Sequence, residues 1–182
     1  MRLFIAIEFE DEIKTYLEEI GGSVRVNSSK GNFTRKDNFH LTLHFLGETE
    51  ISKIQGLRDA IDRIAINYNP FQLSFEKLGQ FIKNNRSIVW VGLKKSQKLF
   101  DLQKELGFIL RKEGFEIEDR SYSPHITIAR ETVFQNSNES LNSLAEVEPR
   151  AIYANAISLM ESTREDGQLV YRSLYSKELR IE

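Results

Sequence analysis

The tetrapeptide His-aliphatic-Thr-aliphatic occurs twice, as His40-Leu41-Thr42-Leu43 and as His125-Ile126-Thr127-Ile128, with both histidines and both threonines 85 residues apart. Alternation of this kind suits a β-strand, in which successive side chains point to opposite faces. Each copy then projects His and Thr together on one side, while Leu41, Leu43, Ile126 and Ile128 face a core. Half-exposed strands alternate in this way without any function. Chance is a poorer explanation of the pair, because the chain has three histidines and two of them occupy the repeated context. The repeat predicts two related halves, with the two strands side by side about a pseudo-two-fold axis and the histidines facing each other across a cleft.

The remaining sequence supplies elements for such a fold. Leu3-Phe4-Ile5-Ala6-Ile7 reads as a buried strand, too short for a membrane span and met at once by Glu8. Ile13, Tyr16, Leu17 and Ile20 have helical spacing, with Gly21-Gly22 as the stop. Ile51, Ile54, Leu57, Ile61 and Ile64 predict a second helix capped by Thr49; Leu99, Leu102, Leu106 and Ile109 predict a third, entered at Ser96 and left at Gly114. Strands are predicted over 39–46, 71–81, 86–94, 123–130, 151–161 and 169–177. Asn84-Asn85 and Glu165-Asp166-Gly167 offer hairpin turns, and hairpins imply antiparallel pairing. The expected class is therefore α+β, with helices packed on antiparallel sheets. Three prolines and no low-complexity tract leave residues 1–182 as a single expected domain.

Composition removes several kinds of chemistry. Without cysteine, the chain has no disulfide framework, thiolate zinc site, iron–sulfur cluster or cysteine nucleophile. A reducing cytoplasm suits that composition. Lys plus Arg number 25 against 27 Asp plus Glu, so a polyanionic partner has to be gripped locally rather than by a global field. Two imidazoles across a cleft form a metal-free acid–base pair, since a pKa of about 6.5 allows one neutral and one protonated ring near neutral pH. Such a pair suits displacement at phosphorus, with the two threonine hydroxyls on the non-bridging oxygens. His44 shares the face of Thr42 by strict alternation, but a lone histidine at a strand end is left outside the site. A metal reading of His40, His44 and His125 lacks a carboxylate or thiolate at matching spacing.

The chain resembles the two-histidine (2H) phosphoesterase superfamily, and within it the RNA 2′,3′-cyclic phosphodiesterases, also called 2′-5′ RNA ligase-like proteins. The resemblance covers Met1-Arg2-Leu3-Phe4-Ile5-Ala6-Ile7, Asn38-Phe39-His40-Leu41-Thr42-Leu43-His44-Phe45-Leu46-Gly47 and Leu78-Gly79-Gln80-Phe81 with Val89-Trp90-Val91-Gly92-Leu93. It continues through Ser123-Pro124-His125-Ile126-Thr127-Ile128-Ala129-Arg130 and the terminal Val170-Tyr171-Arg172-Ser173-Leu174-Tyr175. It implies a bilobed, pseudo-two-fold α+β fold with the cleft between lobes. It also implies hydrolysis of RNA-terminal or nucleoside 2′,3′-cyclic phosphates to 2′-phosphates, without cofactor or metal. Carried over by residue, His40 is the acid for the leaving 3′ oxygen, His125 the base for water, and Thr42, Thr127 and Arg130 hold the phosphate. Strict alternation puts Arg130 on the wrong face, so a bend or bulge has to bring it round.

Phe39 and Tyr122 flank the motifs and read as packing residues, and Trp90 reads as core strand. The expected partners are RNA ends or cyclic nucleotides, with no membrane, and the chain is expected to be a monomer. Action on 2′-5′-linked oligonucleotides or RNA ligation uses the same residues and stays open, as does a nucleotide-binding module without turnover.

Overall fold

The two repeated motifs lie on different sheets of a computed structural model that describes residues 1–117, 121–136 and 141–181. One sheet has four strands, β1 (Arg2–Glu8), β3 (His40–Glu48), β8 (Ala156–Glu165) and β9 (Gln168–Glu178), in the order β3-β1-β8-β9. The other has five, β2 (Ser28–Phe33), β4 (Phe71–Lys83), β5 (Arg86–Leu93), β6 (His125–Phe134) and β7 (Ala151–Ala154), in the order β2-β6-β5-β4-β7. Every pairing is antiparallel. The fold is the bilobed α+β arrangement expected from the sequence.

The helices cross between the halves. α1 (Asp11–Val26) follows β1 in the chain yet packs on β2 and β6; α3 (Gln97–Lys112) follows β5 yet packs on β3. α2 (Ile54–Ala65) lies against α3, β8 and β9, and α4 (Leu141–Leu144) is a single short turn near β4. Leu17, Ile20, Leu57, Ile61, Leu102 and Leu106 are the buried faces, and they join the inner faces of both sheets in one apolar cluster. A separate small cluster of Phe4, Ala6 and Met160, with Tyr171 packed on it, covers part of the opposite face of the four-stranded sheet. Among the described residues no helix is long and apolar enough to cross a membrane.

The local signals hold where they rest on the backbone. Ser96 caps α3 by accepting from the Leu99 N–H at 3.4 Å, and Gly114 follows the helix with φ +81°. Asn84, Asn85, Asp166 and Gly167 all have positive φ in the two hairpin turns. Gly21-Gly22 does not stop α1, which runs on to Val26, because the buried Gly21 sits over Ile128 of β6 and packing outweighs glycine's weak helix propensity. Thr49 does not cap the second helix: a 3-10 turn (Ile51–Lys53) precedes α2, and the Thr49 hydroxyl donates to the Gly47 carbonyl. The segment 151–161 is two strands, since burial alternates through Ile152 and Ala154 but is continuous from Ile157 to Met160, and the chain changes sheets at Asn155. The polar β2 carries no apolar alternation and was not expected.

Candidate active site

β3 places His40 opposite Glu8 and Thr42 opposite Ala6, but the next paired residue is His44 opposite Ile5, which leaves Leu43 as an extra residue in a β-bulge. β6 repeats the device. His125 lies opposite Gly92 and Thr127 opposite Trp90, then Ala129 opposite Val89, with Ile128 as the extra residue. A bulge shifts the side chains that directly follow it by one position, and the two consequences differ.

In β6 the shift brings Arg130 to the side of Thr127, with Nη2 3.5 Å from the threonine hydroxyl. The bulge that Arg130 requires is present. In β3 it turns His44 away from Thr42 and into the core, where the ring is 6% exposed and Nε2 donates to the Gln103 carbonyl of α3 at 2.7 Å. His44 therefore does not share the face of Thr42, and His40, His44 and His125 do not converge. Among the described residues no group of three or more His, Cys, Asp or Glu is placed to hold a metal ion. Phe45, the counterpart of Arg130 in the first motif, is exposed beneath the Arg2 guanidinium, 5.1 Å from its ring centre.

Both imidazoles are held in the same manner. His40 Nδ1 lies 2.8 Å from the Asn38 carbonyl and His125 Nδ1 lies 2.7 Å from the Ser123 carbonyl, in each case two residues upstream. A carbonyl only accepts, so Nδ1 carries the hydrogen in both rings and Nε2 is the nitrogen left for proton exchange. Nε2 of His40 is 3.0 Å from the Thr42 hydroxyl, which donates to it when the ring is neutral.

The walls of the cleft are aromatic. His40 stands between Phe4, at 4.7 Å between ring centres, and Tyr171, at 5.0 Å and nearly perpendicular. His125 has Phe81 edge-on at 5.2 Å and Trp90 at 6.1 Å. Trp90 is thus a cleft residue rather than a core one, because β5 is apolar on both faces and alternation alone does not say which face is buried. Its indole lies flat over Gly79, where a Cβ would fall 2.0 Å from the ring. Phe39 is a core residue at 2% exposure, and Tyr122 packs edge-on to Phe100 and donates to the Thr42 carbonyl at 2.9 Å. Phe4, Phe81, Tyr171 and Asn38 are the site residues that the sequence did not single out.

Burial dominates the electrostatics. It pushes His40 down from 6.5 to about 4, with the charges of Arg130 and His125 acting in the same direction. The Asn38 hydrogen bond and the Glu8 carboxylate oppose that shift. Burial also raises the Tyr171 hydroxyl, against the pull of Arg130 and Arg2. Arg130 and His125, on the five-stranded sheet, are thus close enough to act on His40 of the four-stranded one.

Two His-x-Thr strands, each carrying a bulge just after the motif's threonine and brought together by a pseudo-two-fold pair of sheets, define the two-histidine class of phosphoesterase. A family model of the 2′-5′ RNA ligase superfamily matches residues 9–166, and the chain belongs to that superfamily. The RNA 2′,3′-cyclic phosphodiesterase of Thermotoga maritima is 28% identical over 176 residues, 96% of this chain and 94% of that protein. The Archaeoglobus fulgidus protein of the same name is 31% identical over 135 residues, 71% and 72% of the two chains. Among solved structures, Escherichia coli LigT complexed with 3′-AMP superposes with TM-score 0.75 at 25% identity, covering 98% of this chain and 97% of that one. TT0787 of Thermus thermophilus gives TM-score 0.84 at 22% identity over the whole of both chains, a likeness of fold.

Proposed function

We propose that this protein hydrolyses 2′,3′-cyclic phosphates, at RNA ends or on free nucleosides, through His40 and His125 and without a metal. The observation that carries the reading is the matched pair of imidazoles, each with Nδ1–H committed to a backbone carbonyl two residues upstream, with the Thr42 hydroxyl at Nε2 of His40 and Arg130 at the Thr127 hydroxyl. Relatives named RNA 2′,3′-cyclic phosphodiesterase, similar over nearly the full chain, support the substrate class.

The reaction runs as an in-line displacement. Water gives a proton to Nε2 of His125 as its oxygen bonds to phosphorus, the bond from phosphorus to the 3′ oxygen breaks, and Nε2–H of protonated His40 delivers a proton to that oxygen. The products are a 2′-phosphate and a free 3′-hydroxyl. Thr42, Thr127 and Arg130 donate to the non-bridging oxygens, whose charge grows in the transition state. With its pKa near 4, His40 is neutral in the free protein at neutral pH. The acid role therefore needs the anionic phosphate to raise that pKa as it binds.

The same burial favours a second reading, in which neutral His40 is the base and His125 the acid. It predicts a 3′-phosphate from the same orientation of substrate.

The test is incubation with a panel of 2′,3′-cyclic nucleotides and 2′-5′ dinucleotides in excess chelator, with products resolved by chromatography. Cyclic phosphates should be opened at an undiminished rate, and His125→Ala should lower kcat by roughly 10²–10⁴-fold, the usual range for a positioned acid or base. Turnover of the dinucleotides alone would move the reading to 2′-5′ linkages. Binding without turnover would make the chain a nucleotide-binding module.

A further inference from the structure

Asn38 ends the 3-10 turn (Lys36–Asn38) before β3 and is 7% exposed. Its three polar groups on the side chain and carbonyl are all committed. The carbonyl accepts from His40 Nδ1 at 2.8 Å. The side-chain amide donates from Nδ2 to the Leu169 carbonyl at 2.9 Å and accepts at Oδ1 from the Tyr171 N–H at 3.1 Å. Among the described residues β9 is an edge strand, so those two backbone groups face away from the rest of the sheet. The asparagine amide takes the place of a peptide unit and ties the edge of β9 to the start of β3, which closes the curl of the four-stranded sheet. Tyr171, fastened in this way, packs perpendicular to the His40 ring at 5.0 Å and also against Phe4.

We propose that Asn38 is the positioning residue for the His40 half of the site. Its carbonyl fixes which imidazole nitrogen faces the cleft, and its amide holds Tyr171 against the same ring. One residue thereby sets tautomer, orientation and burial together. An inference about turnover rests on the proposed role of His40, but the state of the imidazole can be read without substrate.

The experiment is imidazole ¹⁵N NMR of the free protein, which resolves tautomer and titration for the three histidines, beside steady-state kinetics on a 2′,3′-cyclic nucleotide. In Asn38→Ala, β9 is released and water reaches His40. Its pKa should rise from about 4 toward 6.5 while His44, on the opposite face of β3, titrates as before. With the acid misplaced, kcat should fall on the order of 10- to 100-fold with KM little changed. Tyr171→Ala should give the same pair of changes, and combining it with Asn38→Ala should add little, because both act on one contact. Asn38→Ser keeps a donor in the space and should show smaller shifts in the same directions, which serves if the alanine variant does not fold. Parental titration and parental kcat in both Asn38 variants would overturn the proposal. If the NMR shift appears but even the parent does not open cyclic phosphates, the positioning role stands and the proposed reaction falls.

Discussion

Burial of the His40 ring costs the protein stability in acid. Wedged between Phe4 and Tyr171, it has its pKa depressed to about 4, so the folded state favours the neutral ring. The unfolded chain takes up a proton below about 6.5 and the folded one only near 4. The stability that depends on neutral His40 is therefore complete above pH 6.5 and is lost as pH falls toward 4. His44, depressed by its own burial, adds to the loss in the same direction. Urea unfolding should show the parent losing on the order of 3 kcal/mol more than His40→Gln between pH 7 and 4, from about 1.4 kcal/mol per pKa unit. Equal losses in the two proteins would mean that His40 is not desolvated. The histidines and threonines were legible as a pair because the repeat is contiguous and its spacing is that of a strand. Asn38 was not, since its partners in β9 lie 131 and 133 residues away.

At the scale of elements, the two bulges decide which side chains reach the cleft, and sequence alternation carries them only by default. For Arg130, three residues beyond Thr127, to stand on the same side as that threonine, β6 needs one extra residue, and Ile128 is that residue. Nothing in the residues around His44 marks the matching bulge in β3 that buries it against α3. That burial depends on Gly107, where a Cβ would meet His44 Cε1 at 2.9 Å. Gly107→Ala should destabilise the protein by about 1–3 kcal/mol through overpacking, against the roughly 1 kcal/mol that alanine contributes inside a helix. Thermal unfolding of Gly107→Ala, with and without His44→Ala, checks this; a higher Tm for the single Gly107→Ala variant would contradict the contact. The Ser96 cap, the two hairpin turns and most strands were legible because each is written in neighbouring residues. The switch of sheets at Asn155 was not, because both strands flanking it are apolar.

Across the whole molecule, the pseudo-two-fold repeats geometry without repeating chemistry. Equivalent bulges place Arg130 in one half and Phe45 in the other, and equivalent positions behind them hold Ala129 and His44. His40 is packed between Phe4 and Tyr171, whereas His125 faces Phe81 and Trp90. Symmetric strands thus deliver two imidazoles in unequal surroundings, a requirement for one to give a proton while the other takes one. The measurement that bears most directly on this division is ³¹P NMR of a 2′,3′-cyclic nucleotide incubated with the protein in excess chelator. A 2′-phosphate formed at the rate seen without chelator is the expected result. A 3′-phosphate would contradict the assignment of His40 as acid and His125 as base, and hydrolysis that stops in chelator and returns with a divalent ion would contradict the two-histidine mechanism itself.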